Sequence, residues 1–156
     1  MNKVTQETLF SSKTGDWATP QDFFNKLNWR FGTFDLDPCA EPTNTKCANF
    51  FTVLEDGLEK DWSGHTVFCN PPYDNMKEWS KKCYEEGQKP NTKVVLLCPA
   101  RPDTKYFHNY IIKADEIYFI KGRLKFGEAT NCAPFPSMVA VFENNSNPQI
   151  VGAMNK

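Results

Sequence analysis

The chain has 156 residues, a formal net charge of −1, a hydrophobic share of 40% and an aromatic share of 14%. This length suits one domain with a sizeable core, and the apolar content argues against disorder. The near-neutral charge excludes a protein that binds nucleic acid with its whole surface, so any such contact requires a local basic patch. Because no apolar run reaches the roughly 20 residues of a membrane span and no secretory signal is apparent, we expect no membrane partner and a cytoplasmic location.

The six cysteines are widely spaced, and no two of them form a Cys-x-x-Cys pair. Structural zinc sites use closely spaced ligand pairs, and the only histidines, His65 and His108, lie far apart in the sequence. We therefore expect no metal and six reduced thiols, most of them buried.

The first predicted element is a helix that ends at Gly32. Thr19 is predicted as its N-cap and Pro20 as its first helical residue. Four apolar side chains at helical spacing give this helix one buried face: Phe23, Phe24, Leu27 and Phe31.

Short apolar runs and helical segments alternate along the rest of the chain. Strands are predicted over residues 34–37, 50–53, 66–69, 94–98, 116–120 and 137–142, and helices over 75–86 and after Asp103. The run 94–98 is apolar on both faces, which is typical of a buried parallel strand. The pattern predicts an α/β fold with a mainly parallel central sheet. We expect a single domain over 1–156, with residues 1–16 and 144–156 loosely ordered.

Polar clusters directly follow three of the predicted strands. These clusters are Asp37-Pro38, Asn70-Pro71-Pro72-Tyr73 and Arg101-Pro102-Asp103. Ligands bind at the carboxyl ends of strands in such sheets, so the three clusters are expected to converge on one rim. Asp35 and Asp37 point in opposite directions on an extended strand, so we expect only one of them to face the site.

The segment Asn70-Pro71-Pro72-Tyr73 combines hydrogen-bond acceptors with a flat ring. Two prolines remove two N–H donors, which leaves the Asn70 amide oxygen and a neighbouring carbonyl to accept both hydrogens of an amino group. The Tyr73 ring offers a surface for stacking a planar base or amide. The alternative interpretation is a proline-rich turn that begins the next helix.

This segment resembles the catalytic motif of amino-group methyltransferases, chiefly the DNA adenine-N6 enzymes. Further segments resemble the phage-type Dam family in the same order, namely Trp17-Ala18-Thr19-Pro20, Asp37-Pro38-Cys39-Ala40, Asp56-Gly57-Leu58, Leu97-Cys98-Pro99-Ala100-Arg101 and Gly122-Arg123-Leu124-Lys125-Phe126. The resemblance implies a Rossmann-like S-adenosylmethionine-dependent methyltransferase fold, reduced in size and with an antiparallel C-terminal strand. The implied reaction is methylation of adenine N6 in DNA.

The resemblance also assigns roles to individual residues. The implied catalytic residues are Asn70, Pro71, Pro72 and Tyr73. The implied S-adenosylmethionine-binding residues are Trp17, Thr19, Pro20, Asp37, Pro38, Cys39, Ala40, Asp56 and Gly57. The family's glycine-rich turn after Asp-Pro is replaced here by Glu41-Pro42-Thr43-Asn44, so cofactor binding is expected to depend more on the N-terminal segment and Asp56.

A local basic patch is the expected contact for DNA. Its candidate members are Arg101, Lys105, Lys121, Arg123 and Lys125. Trp29 and Trp79 are expected in the core rather than as stacking surfaces. The alternatives are methylation of another planar amine (RNA adenine, cytosine N4 or protein glutamine) and a non-catalytic DNA- or protein-binding module with degenerate cofactor motifs. Both a monomer and a homodimer remain open.

Overall fold

The computed structural model describes residues 18–127 and 131–156, and the strands in these ranges form one sheet. The strands are β1 (Leu36–Asp37), β2 (Asn49–Phe50), β3 (Thr66–Cys69), β4 (Lys93–Pro99), β5 (Glu116–Lys121), β6 (Ser137–Glu143) and β7 (Ile150–Asn155). Their order across the sheet is β2-β1-β3-β4-β6-β5-β7. Strand β6 is antiparallel to both its neighbours, β4 and β5, and every other neighbouring pair is parallel. The predicted α/β fold, mainly parallel with a late antiparallel strand, is confirmed.

The helices are α1 (Gln21–Phe31), α2 (Met76–Gly87) and α3 (Lys105–Asn109). Helix α1 packs its four predicted apolar side chains on one face of the sheet, and each buried aromatic there contributes about 2 kcal/mol. Helices α2 and α3 pack on the other face. No helix in the described ranges has the length and apolar character of a membrane span.

Strand β4 forms the middle of this three-layer arrangement. Val95 and Leu97 join the cluster under α1, whereas Val94, Leu96 and Cys98 join the cluster under α2, and all five side chains are fully buried. This burial on both faces confirms the sequence prediction for the strand.

The predicted helix starts differ from the observed ones. Pro20, rather than Thr19, is the N-cap of α1, and no side chain caps this end. Likewise Thr104, rather than Asp103, caps α3 by accepting a hydrogen bond from the Phe107 N–H at 3.4 Å. The Thr19 hydroxyl bonds elsewhere, as described below.

The strand predicted over residues 50–53 is shorter than expected. After β2, the Phe51 N–H still donates to the Asp37 carbonyl at 3.0 Å, but the chain turns at Thr52, where Glu55 accepts from the Thr52 N–H. Val53 is therefore 81% exposed instead of paired in the sheet.

Two further predictions are wrong. Trp29 is 89% exposed, because the buried face of α1 is already supplied by its phenylalanines and Leu27. Residues 144–156, expected to be loosely ordered, contain β7, which pairs with β5 from Glu116↔Ile150 to Lys121↔Asn155. Residues 1–16, for which the same expectation was made, lie outside the described residues.

Candidate active site

The predicted rim forms where β1, β3 and β4 end. Asp37 is the last residue of β1, Asn70 directly follows β3, and Arg101 comes two residues after β4. These three strands are parallel neighbours, so their carboxyl ends share one edge of the sheet. The three predicted clusters therefore follow strands at one edge, although Arg101, Pro102 and Asp103 line neither of the recesses described below.

Two adjoining recesses open at this edge. The first recess is lined mainly by polar side chains, among them Thr19, Asp37, Asn44, Lys46 and Asn70. The second is largely apolar and is lined by Pro38, Ala40, Val53, Asp56, Gly57 and Trp79, among others. Cys39 and Pro72 line both recesses, so the two lie side by side. Asp37 and Asp56 therefore belong to one cleft.

Asp37 is the dominant electrostatic feature of the first recess. Only 6% of the residue is exposed, and this burial raises its pKa to about 7, against the opposing effects of a hydrogen bond from the Cys39 N–H and the charge of Lys46. A positive group placed beside this carboxylate would be strongly bound, because it would relieve the cost of burying the charge.

Asp35 has a different environment from Asp37. Its carboxylate accepts from the Thr66 N–H at 2.8 Å and lies 3.0 Å from Nδ1 of His65. Only Asp37 lines the recess, as the alternation of side chains along a strand requires.

The Asn70 amide is held at both ends by hydroxyl groups. Its Nδ2 donates to Oγ1 of Thr19 at 3.0 Å, and its Oδ1 accepts from the Tyr73 hydroxyl at 2.5 Å. Burial raises the pKa of Tyr73, so this hydroxyl stays protonated and acts as the donor.

The backbone of the motif supplies a second acceptor. The Pro72 carbonyl accepts from the Asn75 N–H at 3.3 Å, at the start of the 3₁₀ turn Tyr73–Asn75. The Pro71 carbonyl receives no hydrogen bond from the residues that the structure describes. Pro71 lines the first recess together with Asn70, which is the acceptor pair that the motif predicts.

The Tyr73 ring is set among aromatic side chains. Its centroid lies 5.5 Å from that of Phe135 and 6.3 Å from that of Phe126, both in T-shaped contacts. Both phenylalanines come from the segment between β5 and β6. Phe126 ends the stretch that resembles the Dam family, whereas the sequence analysis gave Phe135 no role. The contacts fix the tilt of the tyrosine ring.

The second recess depends on a close backbone contact. A Cβ on Gly57 would lie 1.9 Å from the Pro38 carbonyl oxygen, so only glycine allows these segments to meet. The Gly57 carbonyl accepts from Nε1 of the fully buried Trp62 at 3.0 Å, and Asp56 accepts from the Leu58 N–H at 3.2 Å. This contact joins the Asp-Pro and Asp-Gly-Leu segments into one wall.

The six cysteines are unpaired, and one of them lies within the cleft. Cys39 lines both recesses, and its Sγ is 3.9 Å from Sγ of the buried Cys69, directly before Asn70. Burial raises the pKa of both thiols, which keeps them neutral at the site.

Four of the five candidate DNA-binding residues are placed by strands of the sheet. Arg101 follows β4, and Lys121 ends β5 with Arg123 and Lys125 shortly after it. Arg123 and Lys125 are exposed, whereas Leu124 between them is buried. The fifth residue is the exposed Lys105, the first residue of α3. Strands β4 and β5 run in the same direction, because both are antiparallel to β6, so Arg101, Arg123 and Lys125 follow strand ends at the same edge of the sheet.

Not every predicted cofactor residue lines the cleft, and several lining residues were not predicted as site residues, among them Lys46. Trp17 lies outside the described residues, and Pro20 lines neither recess. Lys46 lines the first recess and was not predicted. The available signal was its position two residues after the Glu41–Asn44 segment that replaces the glycine-rich turn.

Comparison with known proteins identifies the family. A family model described as DNA N-6-adenine-methyltransferase (Dam) matches residues 6–156. The DNA N-6-adenine-methyltransferase of Haemophilus phage HP1 (strain HP1c1) is 35% identical over 147 residues, which cover 90% of this chain and 85% of that protein. The protein of the same name from Escherichia phage T1 is 31% identical over 109 residues, covering 69% of this chain and 45% of that protein. The chain belongs to the DNA N-6-adenine-methyltransferase (Dam) family.

Proposed function

We propose that this protein transfers a methyl group from S-adenosylmethionine to the N6 amino group of adenine in DNA. The observation that carries the proposal is the Asn70 amide, which lies at the carboxyl end of β3 beside the recess that contains the buried Asp37. The family membership supports both the reaction and the substrate.

The side chains that line the cleft match the chemical groups of S-adenosylmethionine. Its methionine end carries an α-ammonium and an α-carboxylate, which match Asp37 and Lys46 in the first recess. Its adenine and ribose are less charged and match the second recess, where Asp56 offers a carboxylate beside the apolar walls of Val53 and Trp79. In this arrangement Lys46 supplies a positive group close to the segment that replaces the family's glycine-rich turn.

When bound, the cofactor supplies an electrophilic methyl group on a sulfonium centre. Asn70 Oδ1 and the Pro71 carbonyl accept the two hydrogens of the adenine amino group. Holding both hydrogens out of the plane of conjugation directs the nitrogen lone pair toward the methyl group, so positioning is the main source of rate enhancement. The substrate nitrogen is the nucleophile, and the thiols of Cys39 and Cys69 take no covalent part.

Tyr73 and the exposed basic residues are assigned to the DNA. A target adenine that is flipped out of the duplex stacks on the Tyr73 ring, which Phe126 and Phe135 hold in place. Arg101, Lys121 and the other basic residues of the rim contact phosphates as a local patch, since the net charge of −1 excludes attraction over the whole surface. Binding to DNA should therefore weaken steeply with salt.

The test is to incubate the protein with unmodified DNA and methyl-labelled S-adenosylmethionine and then to analyse the nucleosides by mass spectrometry. We expect label in N6-methyladenine. Label in N4-methylcytosine, or in RNA or protein but not DNA, would contradict the proposed substrate. Calorimetry that detects no cofactor binding by a folded protein would instead favour a non-catalytic binding module.

The raised pKa of Asp37 predicts that cofactor affinity depends on pH. The α-ammonium binds the ionised carboxylate, and the free protein has a pKa of about 7 at this residue, so affinity should rise as the pH increases. Calorimetry should show binding about tenfold tighter at pH 7.0 than at pH 5.5, a range in which an α-amino group (pKa about 7.7–8.0) stays protonated.

The control for this pH dependence is Asp37→Asn, which should bind the cofactor weakly and equally at both pH values. Within residues 18–127 and 131–156, the charged or titratable side chains found to interact with Asp37 are Lys46, Cys39 and Cys47. Burial raises the pKa of both thiols, that of Cys47 to about 12, so neither thiol titrates in this range. A pH dependence that persists in Asp37→Asn would contradict the assignment.

A further inference from the structure

Lys156, directly after β7, lies beside the segment that carries three of the candidate DNA-binding residues. Its Nζ donates to the Arg123 carbonyl at 3.2 Å. Lys26 on α1 reaches the same place, since its Nζ donates to the main-chain oxygens of Asn155 at 2.9 Å and Lys156 at 3.3 Å. Hydrogen bonds therefore bring together three cationic residues, Lys26, Arg123 and Lys156, that are distant from one another in the sequence.

The end of β7 lies at the same edge of the sheet as Asn70. Strand β3 is parallel to β4, β4 and β5 are both antiparallel to β6, and β7 is parallel to β5. Asn70 follows β3 and Lys156 follows β7, so both lie where strands of one direction end. Four strand spacings of about 4.8 Å separate β3 from β7, which makes about 19 Å along the edge.

Charge is unevenly distributed along this edge. On the cofactor side, the segment 55–61, which supplies part of the second recess, contains four acidic residues and one lysine. On the other side, the segments 117–127 and 144–156 contain no Asp or Glu, and their basic residues are Lys121, Arg123, Lys125 and Lys156. No ion pair within residues 18–127 and 131–156 involves these four residues or Lys26. Neighbouring like charges repel one another, so this end of the edge suits an anionic partner.

The basic side of the edge is continuous with the Tyr73 ring. Lys125 directly precedes Phe126, whose ring centroid lies 6.3 Å from that of Tyr73. Basic residues therefore extend from the neighbourhood of this ring to the end of β7. A length of about 19 Å corresponds to five or six base pairs of duplex at about 3.4 Å per base pair. The backbone of a duplex with its target adenine at Asn70 can thus reach Lys156.

We propose that Lys156 and Lys26 bind DNA phosphates, so that the duplex lies along the edge from β4 to β7 and away from the cofactor recesses. This inference rests on the proposed function, in which adenine in DNA is the substrate. It adds two contacts to the five basic residues expected from the sequence. A lysine ammonium has three donors, so Lys156 keeps two and Lys26 keeps one for phosphate oxygens.

The test measures Kd for an unmodified duplex at several salt concentrations by fluorescence anisotropy. A length of about 20 base pairs covers the required five or six base pairs on both sides of a central adenine. Each phosphate contact contributes about 0.9 to the slope of log affinity against log salt concentration. Lys156→Gln should lower this slope by about 0.9, which weakens binding about eightfold at 0.1 M salt and hardly at 1 M. Lys26→Gln should give the same change, whereas Lys156→Arg keeps the charge and should keep the wild-type slope.

The matched control is Lys113→Gln, which makes the same change of charge at the opposite edge of the sheet. Lys113 is exposed and precedes β5, so it lies where that strand begins. We expect a wild-type slope for this variant. Calorimetry should give the wild-type Kd for S-adenosylmethionine in every variant, because the recesses lie at the ends of other strands. Thermal melting checks that each variant is folded.

The possible results separate this inference from the proposed function. A wild-type slope in Lys156→Gln, an equal change in Lys113→Gln, or a Lys156→Arg variant as weak as Lys156→Gln would overturn the proposed contact even if the wild type methylates adenine. A wild type that shows the expected dependence on Lys156 but transfers no methyl group to adenine would reject the proposed reaction and leave the DNA contact in place. A folded wild type that binds no duplex at any salt concentration would reject both.

Discussion

Replacing Asn70 with alanine is expected to lower kcat for methyl transfer at least about 1000-fold, while Kd for S-adenosylmethionine changes less than about threefold. The variant loses one of the two acceptors that orient the substrate amine, whereas Asp37, Lys46 and the apolar recess remain. Single-turnover kinetics would measure the rate, and calorimetry would measure the cofactor affinity. The same loss is expected for Tyr73→Ala, which removes the stacking ring.

The matched control for Asn70→Ala is Asn25→Ala on the exposed face of α1. Asn25 also accepts a side-chain hydrogen bond, from Gln21 at 2.9 Å, but it is exposed and lines neither recess, so Asn25→Ala should keep wild-type kcat. Removing Asn70 also leaves the Thr19 and Tyr73 hydroxyls without this partner, so a small loss of thermal stability is expected. If Asn70→Ala lost cofactor affinity in proportion to rate with the fold intact, Asn70 would be a cofactor contact rather than a catalytic residue.

Gly57→Ala is expected to give the second large effect, this time on stability and on cofactor binding together. The added Cβ would meet the Pro38 carbonyl oxygen at 1.9 Å, and backbone atoms cannot yield as a flexible side chain can. Overpacking of this kind costs about 2–3 kcal/mol, or roughly 5–10 °C in Tm for a chain of this size. Because the clash separates Asp56 from Pro38, cofactor affinity should fall at least about tenfold.

Gly152→Ala provides the control for this substitution. At Gly152 in β7 a Cβ would contact the Tyr118 ring at 3.6 Å, an ordinary van der Waals distance. Thermal melting and calorimetry should therefore show little change in Gly152→Ala. Equal Tm values for the two variants would show that the contact between Gly57 and Pro38 does not constrain the cleft.

The sequence predicted those parts of the fold and site that local patterns determine. The apolar run of β4 has no polar side chain from Val94 to Cys98, so only a doubly covered strand suits it. The motif that begins at Asn70 directly follows an apolar strand, and parallel topology then places it on the same rim as Asp37. These inferences required no knowledge of distant contacts.

The features that the sequence did not predict depend on contacts between distant segments. The residues around Thr19 predict that its hydroxyl caps a helix. In the fold this hydroxyl instead accepts a hydrogen bond from Asn70, which is distant in the sequence. In β7, Met154 is the only buried residue, so the apolar pattern of the strand was too weak to recognise before its pairing with β5 was known. Lys46 likewise becomes a recess residue only because its loop returns to the end of β1.

The position of β7 also limits which truncated forms of the protein keep the sheet intact. A fragment that stops at Asn144 would expose the outer edge of β5, and unpaired edges with apolar residues such as Ile117 and Ile120 recruit other chains. The last residues are anchored as well, since Nζ of Lys26 donates to the Asn155 carbonyl at 2.9 Å. Expression tags and fusion partners are therefore better placed at the other terminus, and a minimal domain has to retain the final strand.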